Sequence, residues 1–238
     1  MHRLDMGTVM STDSLLSLLQ FTDALFPAGA YAHSFGLEFC VEAGTVRDAA
    51  DVEAFLWAHL EGMCAPTDAL VSLCASRAGR LQDFDGCVAL DERLDAIKVA
   101  CESRNASRQM GRQVLRVLVH TSTDSFAVRF GGAITSDLTL GHHAVCFGIA
   151  GAILNWPEEA LASSYLYAAS SALVGAALRL LPLGQLGGQK ILAAARPRIA
   201  KLAADLQGKD ERDLWSFAPA QEIAAMKHAN LEARLFRS

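Results

Sequence analysis

Four groupings of side chains in this 238-residue chain have types and spacings that could carry chemistry. His142 and His143 are metal-ligand types placed side by side. On a helix, neighbours point about 100° apart, so the two cannot chelate one ion together and read as a core or interfacial pair. His33 and Ser34 are a base and a nucleophile. Adjacent residues rarely form the hydrogen bond that activates a hydroxyl, and no third member is evident. Gly184-Gln-Leu-Gly-Gly-Gln-Lys190 has the glycines and lysine of a phosphate loop but ends Lys190-Ile191 where Lys-Ser/Thr is needed, and no strand precedes it. Nucleotide hydrolysis by this chain is therefore not expected.

The fourth grouping is a stripe, Arg104, Arg108, Arg112 and Arg116, at i,i+4 spacing. Like charges so placed repel by roughly a few tenths of a kcal/mol per pair. A solvated helix face can bear that. Otherwise carboxylates such as Glu102 or those of the acidic 83–95 segment, or an acidic partner, must offset it. An enzyme would set one of these histidines beside a cysteine in a pocket with a shifted pKa. No motif completes such a set, and the chain reads as a non-enzyme whose surface is used by other proteins.

Bulk composition narrows the class further. Hydrophobic residues make up 52% of the chain and aromatic ones only 7%. Apolar mass carried by Ala and Leu favours helices over strands. The net charge of −5 argues against a nucleic-acid binder. Residues 187–238 hold 9 Lys/Arg and 6 Asp/Glu, so a basic end follows an acidic body and could steer an acidic partner. Six cysteines without a CxxC pair read as reduced, mostly buried thiols of a cytoplasmic protein. The start, Met1 to Gly7, lacks the apolar run of a secretory signal.

The elements that must position these residues are all helical. Asp13 or Ser14 can cap a first helix, and Phe26-Pro-Ala-Gly29 breaks the chain. Helices follow at about 34–42, 47–63, from a Thr67 cap to Gly79, 84–91, and 94–119. Residues 121–141, rich in Gly, Thr and Ser, read as a loop. Two stretches, 138–157 and 160–178, contain no Asp, Glu, Lys or Arg. Their histidines, glycines, serines and alanines suit central helices of a soluble bundle better than a membrane span. Trp156-Pro-Glu-Glu159 starts a helix. Another runs from about 185 to 207 with Pro197 as a kink, and Pro219 opens the last. On a helical wheel Ile223, Met226, Leu231 and Leu235 form an apolar arc interrupted by Lys227, Asn230 and Arg234, as at an interface. His228 and Glu232 would pair at i,i+4. The expected fold is all-α, a single-domain bundle of about ten helices spanning 1–238, with a C-terminal interaction helix at about 219–238.

Several runs resemble one family in order along the chain. Phe26-Pro-Ala-Gly-Ala-Tyr-Ala-His-Ser-Phe-Gly-Leu-Glu38 is similar to the opening of the urease accessory protein F (UreF) family. Leu94 to Gly111 resembles its central helix, and Gly141-His-His-Ala-Val145 its His-Pro-Val turn. Leu181-Pro-Leu-Gly-Gln185 with Gln189, and Met226 to Ser238, resemble its later segments. Ala144 replaces the family's proline, Gln221-Glu-Ile223 stands for its Asp-Ile, and Ala229-Asn230 follows His228 where the family has a His-Glu pair.

The resemblance implies a cytoplasmic, homodimeric protein with no cofactor of its own. It implies as partners UreD (also called UreH), the nickel-carrying GTPase UreG, and apo-urease, with no nucleic acid and no membrane. It also points to His33, Ser34, Glu38, Arg108, Gln109, Gln189, Lys190, Lys227, His228 and Arg234 as partner-binding residues rather than chemical ones. A generic helical scaffold unrelated to urease is the alternative.

Overall fold

The computed structural model describes residues 10–23, 25–29 and 32–237, and among them the regular structure is helical throughout. Helix α1 (Thr12–Thr22) is capped by Ser11, whose Oγ accepts the Ser14 amide at 3.1 Å. The cap thus lies two residues before Asp13 and three before Ser14. Ser14 is buried instead and donates its hydroxyl to Leu154 O at 2.9 Å. Helix α2 (Leu37–Glu42) is entered through Phe35 and Gly36, both at positive φ. Helix α3 (Ala49–His59) starts on Asp48, which accepts the amides of Ala50 and Asp51 at 2.9 and 3.0 Å.

No break follows α3. The chain continues as a ten-residue π-helical segment (Leu60–Ala69) directly into α4 (Leu70–Arg80), with Pro66 inside it. Thr67 is therefore not a cap. Pro66 has no N–H, so it leaves a gap in the i−5 ladder of this wide helix. The Gly62 carbonyl accepts the amide of Phe217 at 2.8 Å. The Thr67 hydroxyl donates to Trp215 O at 2.6 Å, and the Trp215 amide reaches Pro66 O at 3.4 Å. A strap near residues 215–217 thus takes up what the wide helix leaves open. Gly62 is needed beneath it, because a Cβ there would stand 2.7 Å from Phe217 O.

Helix α5 (Phe84–Ile97) and helix α6 (Cys101–Thr121) divide at residues 98–100, not near 92 as the sequence suggests. The turn is tied by Lys98, whose Nζ lies 2.8 Å from Asp68. The segment expected to be a loop contains helix α7 (Ser125–Thr135), capped by Asp124 on the amides of Phe126 and Ala127. Phe126, Phe130 and Ile134, four residues apart, form its buried face.

Helix α8 (His143–Ile153) is the centre of the molecule, with every residue from Ala144 to Ala152 buried. It is packed between α4 and α6. Gly148 permits this, since a Cβ there would strike Ser72 O, Ala75 and Ser76 N of α4. Absence of charge in this stretch therefore reflects burial. Helix α9 (Glu158–Leu180) packs on helix α10 (Gly184–Asp205), and Pro197 lies inside α10. By length and composition α9 could cross a membrane, and half of its apolar window is buried inside the fold. Cys64, Cys74, Cys87 and Cys146 are buried free thiols, Cys40 is half-buried and Cys101 exposed. A short 3-10 turn (Glu211–Asp213) precedes helix α11 (Pro219–His228).

Helix α11 ends at His228, ten residues short of the expected interaction helix, and the apolar arc read as an interface faces outward. Gln221, Ala224, Ala225 and His228 point inward, while Ile223 and Met226 are exposed. The cause is a close backbone approach. A Cβ on Gly36 would lie 2.8 Å from Ala225 N and 3.1 Å from the Ala224 Cβ, so only small side chains fit that seam.

Candidate functional site

The two runs that carry the family resemblance at the ends of the chain meet in space. Glu38, on the first turn of α2, is buried and accepts three hydrogen bonds. The Leu235 amide donates at 2.6 Å, His228 Nε2 lies at 2.7 Å and the Phe236 amide donates at 3.1 Å. The other ring nitrogen of His228, Nδ1, is 2.9 Å from Glu102 on α6, and Glu102 also receives Arg234 Nη1 at 2.8 Å. A carboxylate accepts only, so each nitrogen of the fully buried His228 ring is placed to donate. His228 does not pair with Glu232. Just beyond, the Arg237 amide donates to Ala32 O at 2.8 Å, and Phe236 is buried beneath the Arg179 guanidinium. Residues 234–237 are thus laced onto the entry of α2 and onto α6.

Electrostatics follow from this packing. Burial raises the Glu38 carboxyl, but the Leu235 amide, His228 and the Phe236 amide together outweigh it and hold the group below the usual range. His33 is buried beside the same cluster. Desolvation, then the nearby Arg237 charge, push its ring down to about 4, so it is neutral near pH 7. Ser34 Oγ accepts the Glu38 amide at 3.4 Å, which helps start α2 rather than activating a nucleophile. Glu38, His228 and Glu102 are bonded to one another's partners within the protein, an arrangement that locks the segment in place.

A second polar cluster organises the start of α8. Asp91 of α5 is fully buried and accepts from Thr139 Oγ1 at 2.6 Å and from the amides of Leu140, Gly141 and His142 at 2.7 Å each. His142 lies 3.0 Å from Ser107 Oγ and 2.9 Å from Asp95, and Asp95 is also paired with Arg108. Burial raises the Asp95 carboxyl, yet its bonds to Arg108 and His142 lower it overall. One member of the arginine stripe is thereby offset from within, by the acidic 83–95 segment. Arg112 is 4.0 Å from exposed Asp137. His143 turns away from His142 toward Tyr165, with Nδ1 3.0 Å from the hydroxyl. Close contact between α6 and this turn depends on Gly111, where a Cβ would strike Gly141 O and His142 O.

Of the residues the resemblance singles out, His33, Ser34, Glu38, His228 and Arg234 form the first cluster, and Arg108 belongs to the second. Gln109, Gln189 and Lys190 are exposed on α6 and α10, apart from both. Lys227 is exposed, its Nζ 5.5 Å from the Phe39 ring. The sequence did not point to Asp91 or to the strap. Asp91 lies within the acidic 83–95 segment, where no spacing singles it out, and Trp215 and Phe217 lie between the helix read at about 185–207 and the one opened by Pro219.

Around the lock, the surface is unusually apolar. Phe217 is 75% exposed, Leu235 53%, Ile223 51% and Trp215 50%, all on the segment that the lock and strap hold in place. A second apolar surface lies on α1 and the turn after it, where Leu16 and Leu19 are exposed and Leu25 is 92% exposed. Concentrations of exposed large apolar residues mark surfaces that other proteins cover.

Comparison with known proteins agrees with the sequence motifs. The UreF family model matches residues 46–196. The urease accessory protein UreF of Bacillus sp. (strain TB-90) is 31% identical over 224 residues, covering 94% of this chain and 99% of that protein. UreF of Kocuria rhizophila is 32% identical, with 96% and 98% covered, and UreF of Jannaschia sp. (strain CCS1) is 33% identical, with 95% and 96% covered. With its helical fold, its end-to-end lock and these matches along nearly its whole length, the chain belongs to the UreF family of urease accessory proteins.

Proposed function

We propose that this protein is a non-catalytic component of the urease maturation complex, bridging UreD (UreH) and the GTPase UreG on apo-urease. In this reading it regulates GTP-dependent insertion of nickel into the urease active site, and nickel is cargo rather than a resident cofactor. It acts as a homodimer in the cytoplasm. The observation that carries the reading is the C-terminal segment. Its backbone is fastened by Glu38 and Gly62 and its Arg234 and His228 side chains by Glu102, while Trp215, Phe217, Ile223 and Leu235 face outward. A segment held this way is pre-organised, so a partner need not bear its ordering entropy on binding. The exposed leucines of α1 offer a separate surface, as a protein with more than one partner requires.

The test is reconstitution. Apo-urease, UreD, UreG, nickel and GTP are combined with and without this protein, and urease activity is followed. Activation that depends on both GTP and this chain supports the proposal. Equal activation in its absence rejects it.

A further inference from the structure

A groove of about 680 Å³ runs between α7 and the C-terminal half of α6. Its floor is apolar, with Leu115 and Ile134 buried beneath it and Val119 half-buried. Val128, 52% exposed, forms one edge. The α6 rim carries Arg112, Arg116 and His120. The α7 rim is uncharged along the helix, and Asp137 stands just past its end. Arg129 of α7 is stacked over the Phe84 ring instead and does not line the groove.

Within the chain the charge on the α6 rim is only partly offset. Arg108, one turn earlier, is paired with Asp95. Arg112 reaches only the exposed Asp137, at 4.0 Å. Arg116 makes no ion pair among the described residues, although Arg112 lies one turn away on the same face. Gly132, on the opposite rim, points to the same vacancy of partners. A Cβ there would meet nothing within 4 Å, so no contact inside the chain requires a glycine at this position. Glycine in mid-helix costs stability relative to alanine, and its use is to let another backbone come close. Because Gly132 lines the groove, the backbone it admits is that of an occupant.

The chemistry of the walls selects that occupant. Two arginines one helical turn apart, about 6 Å along the axis, match carboxylates at i,i+4 on another helix. Arginine's planar fork suits such carboxylates. The apolar floor beside them matches the hydrophobic flank of the same helix. Nucleic acid fits worse, since no Phe, Tyr or Trp lines the groove to stack a base and the chain's net charge is −5. We propose that this groove docks an acidic amphipathic helix of a partner protein, with its carboxylates on Arg112 and Arg116 and its backbone passing over Gly132. The surface is distinct from the C-terminal segment and from the α1 leucines, and the inference does not rest on the accessory role proposed above.

The probe is a labelled helical peptide of about 18 residues, with glutamates at i,i+4 beside a leucine stripe. A control peptide has lysine at every glutamate position. Both are titrated into the full chain and followed by fluorescence anisotropy at about 50 mM salt. The glutamate peptide should bind saturably, at least roughly tenfold more tightly than the control, and weaken as salt rises. Arg112→Glu with Arg116→Glu should weaken it roughly tenfold, because two exposed pairs are lost and replaced by like charges. Gly132→Leu should weaken it by a similar factor by blocking the close approach. All three positions are exposed, and circular dichroism checks that the variants remain folded. The proposal is overturned if the two peptides bind alike, or if either variant binds the glutamate peptide as the native chain does. It also fails if a DNA strand of about 20 nucleotides displaces the peptide more readily than unlabelled peptide does. Light scattering that shows the arginine substitutions splitting a dimer would assign the groove to a second copy and reject the proposal.

Discussion

Replacing Glu38 by alanine removes the acceptor of three hydrogen bonds at once. Two of the donors are backbone amides, of Leu235 and Phe236, and the third is a ring nitrogen of fully buried His228. A buried donor left unpaired costs about 1–3 kcal/mol, so three would cost roughly 3–9 kcal/mol if the surroundings stayed in place. They need not stay. Residues 229–237 follow the last helix and can lift off, letting water satisfy the same donors. The loss is then capped at the free energy that docks this tail. Hydrogen exchange measured by mass spectrometry separates local from global loss. Even 3 kcal/mol corresponds to about a hundredfold faster exchange, and we expect at least that for peptides covering 229–237, with α4 and α8 unchanged. Glu38→Gln, which keeps one acceptor oxygen, should fall between. Unchanged protection of 229–237 in Glu38→Ala would refute the lock.

Acid should loosen the fold well above the pH at which carboxylates protonate. His33, His59 and His143 are each pushed down to about 4 by burial, against 6.5 for the free side chain. The unfolded chain therefore binds more protons below 6.5, and stability present above that pH is lost as pH falls toward 4. Each histidine contributes at most about 1.4 kcal/mol per pH unit in that window. Urea midpoints at pH 7, 6 and 5 should fall in sequence; a flat profile contradicts the burial of neutral imidazoles. Two glycines predict opposite signs. Gly148→Ala pushes a Cβ into the α4 backbone and should cost about 1–3 kcal/mol. Gly132→Ala meets nothing within 4 Å on α7 and should gain about 0.5–1 kcal/mol from helix propensity. Urea denaturation of the two variants decides, and shifts of the same sign would show that the helix contacts are misassigned.

What was legible in the sequence was local. Helix class, the break at Gly29 and the start at Pro219 follow from composition, turn residues and proline chemistry, each acting within a few residues. Helix α7 was hidden because Gly131 and Gly132 interrupt its pattern with residues that usually mark loops. The π-helical segment was hidden because Pro66 and Thr67 imitate a helix end, and only the strap, about 150 residues later, supplies the bonds that keep the helix going. Glu38 and His228 were singled out by resemblance, but 190 positions separate them, and no periodicity links residues so far apart. The inward face of α11, made of Gln221, Ala224, Ala225 and His228, has the same origin. Its pattern obeys Gly36, which lies outside the helix.

The central claim is that the fastened, outward-facing C-terminal segment is what partners bind. Size-exclusion chromatography with light scattering tests it most directly, mixing this protein with UreD and UreG. The native chain should co-elute with them at the summed mass, and Phe217→Asp with Leu235→Asp, two exposed positions, should elute apart from them while keeping its helical circular-dichroism spectrum. A complex that survives both substitutions, or no complex with folded native partners, would contradict the account.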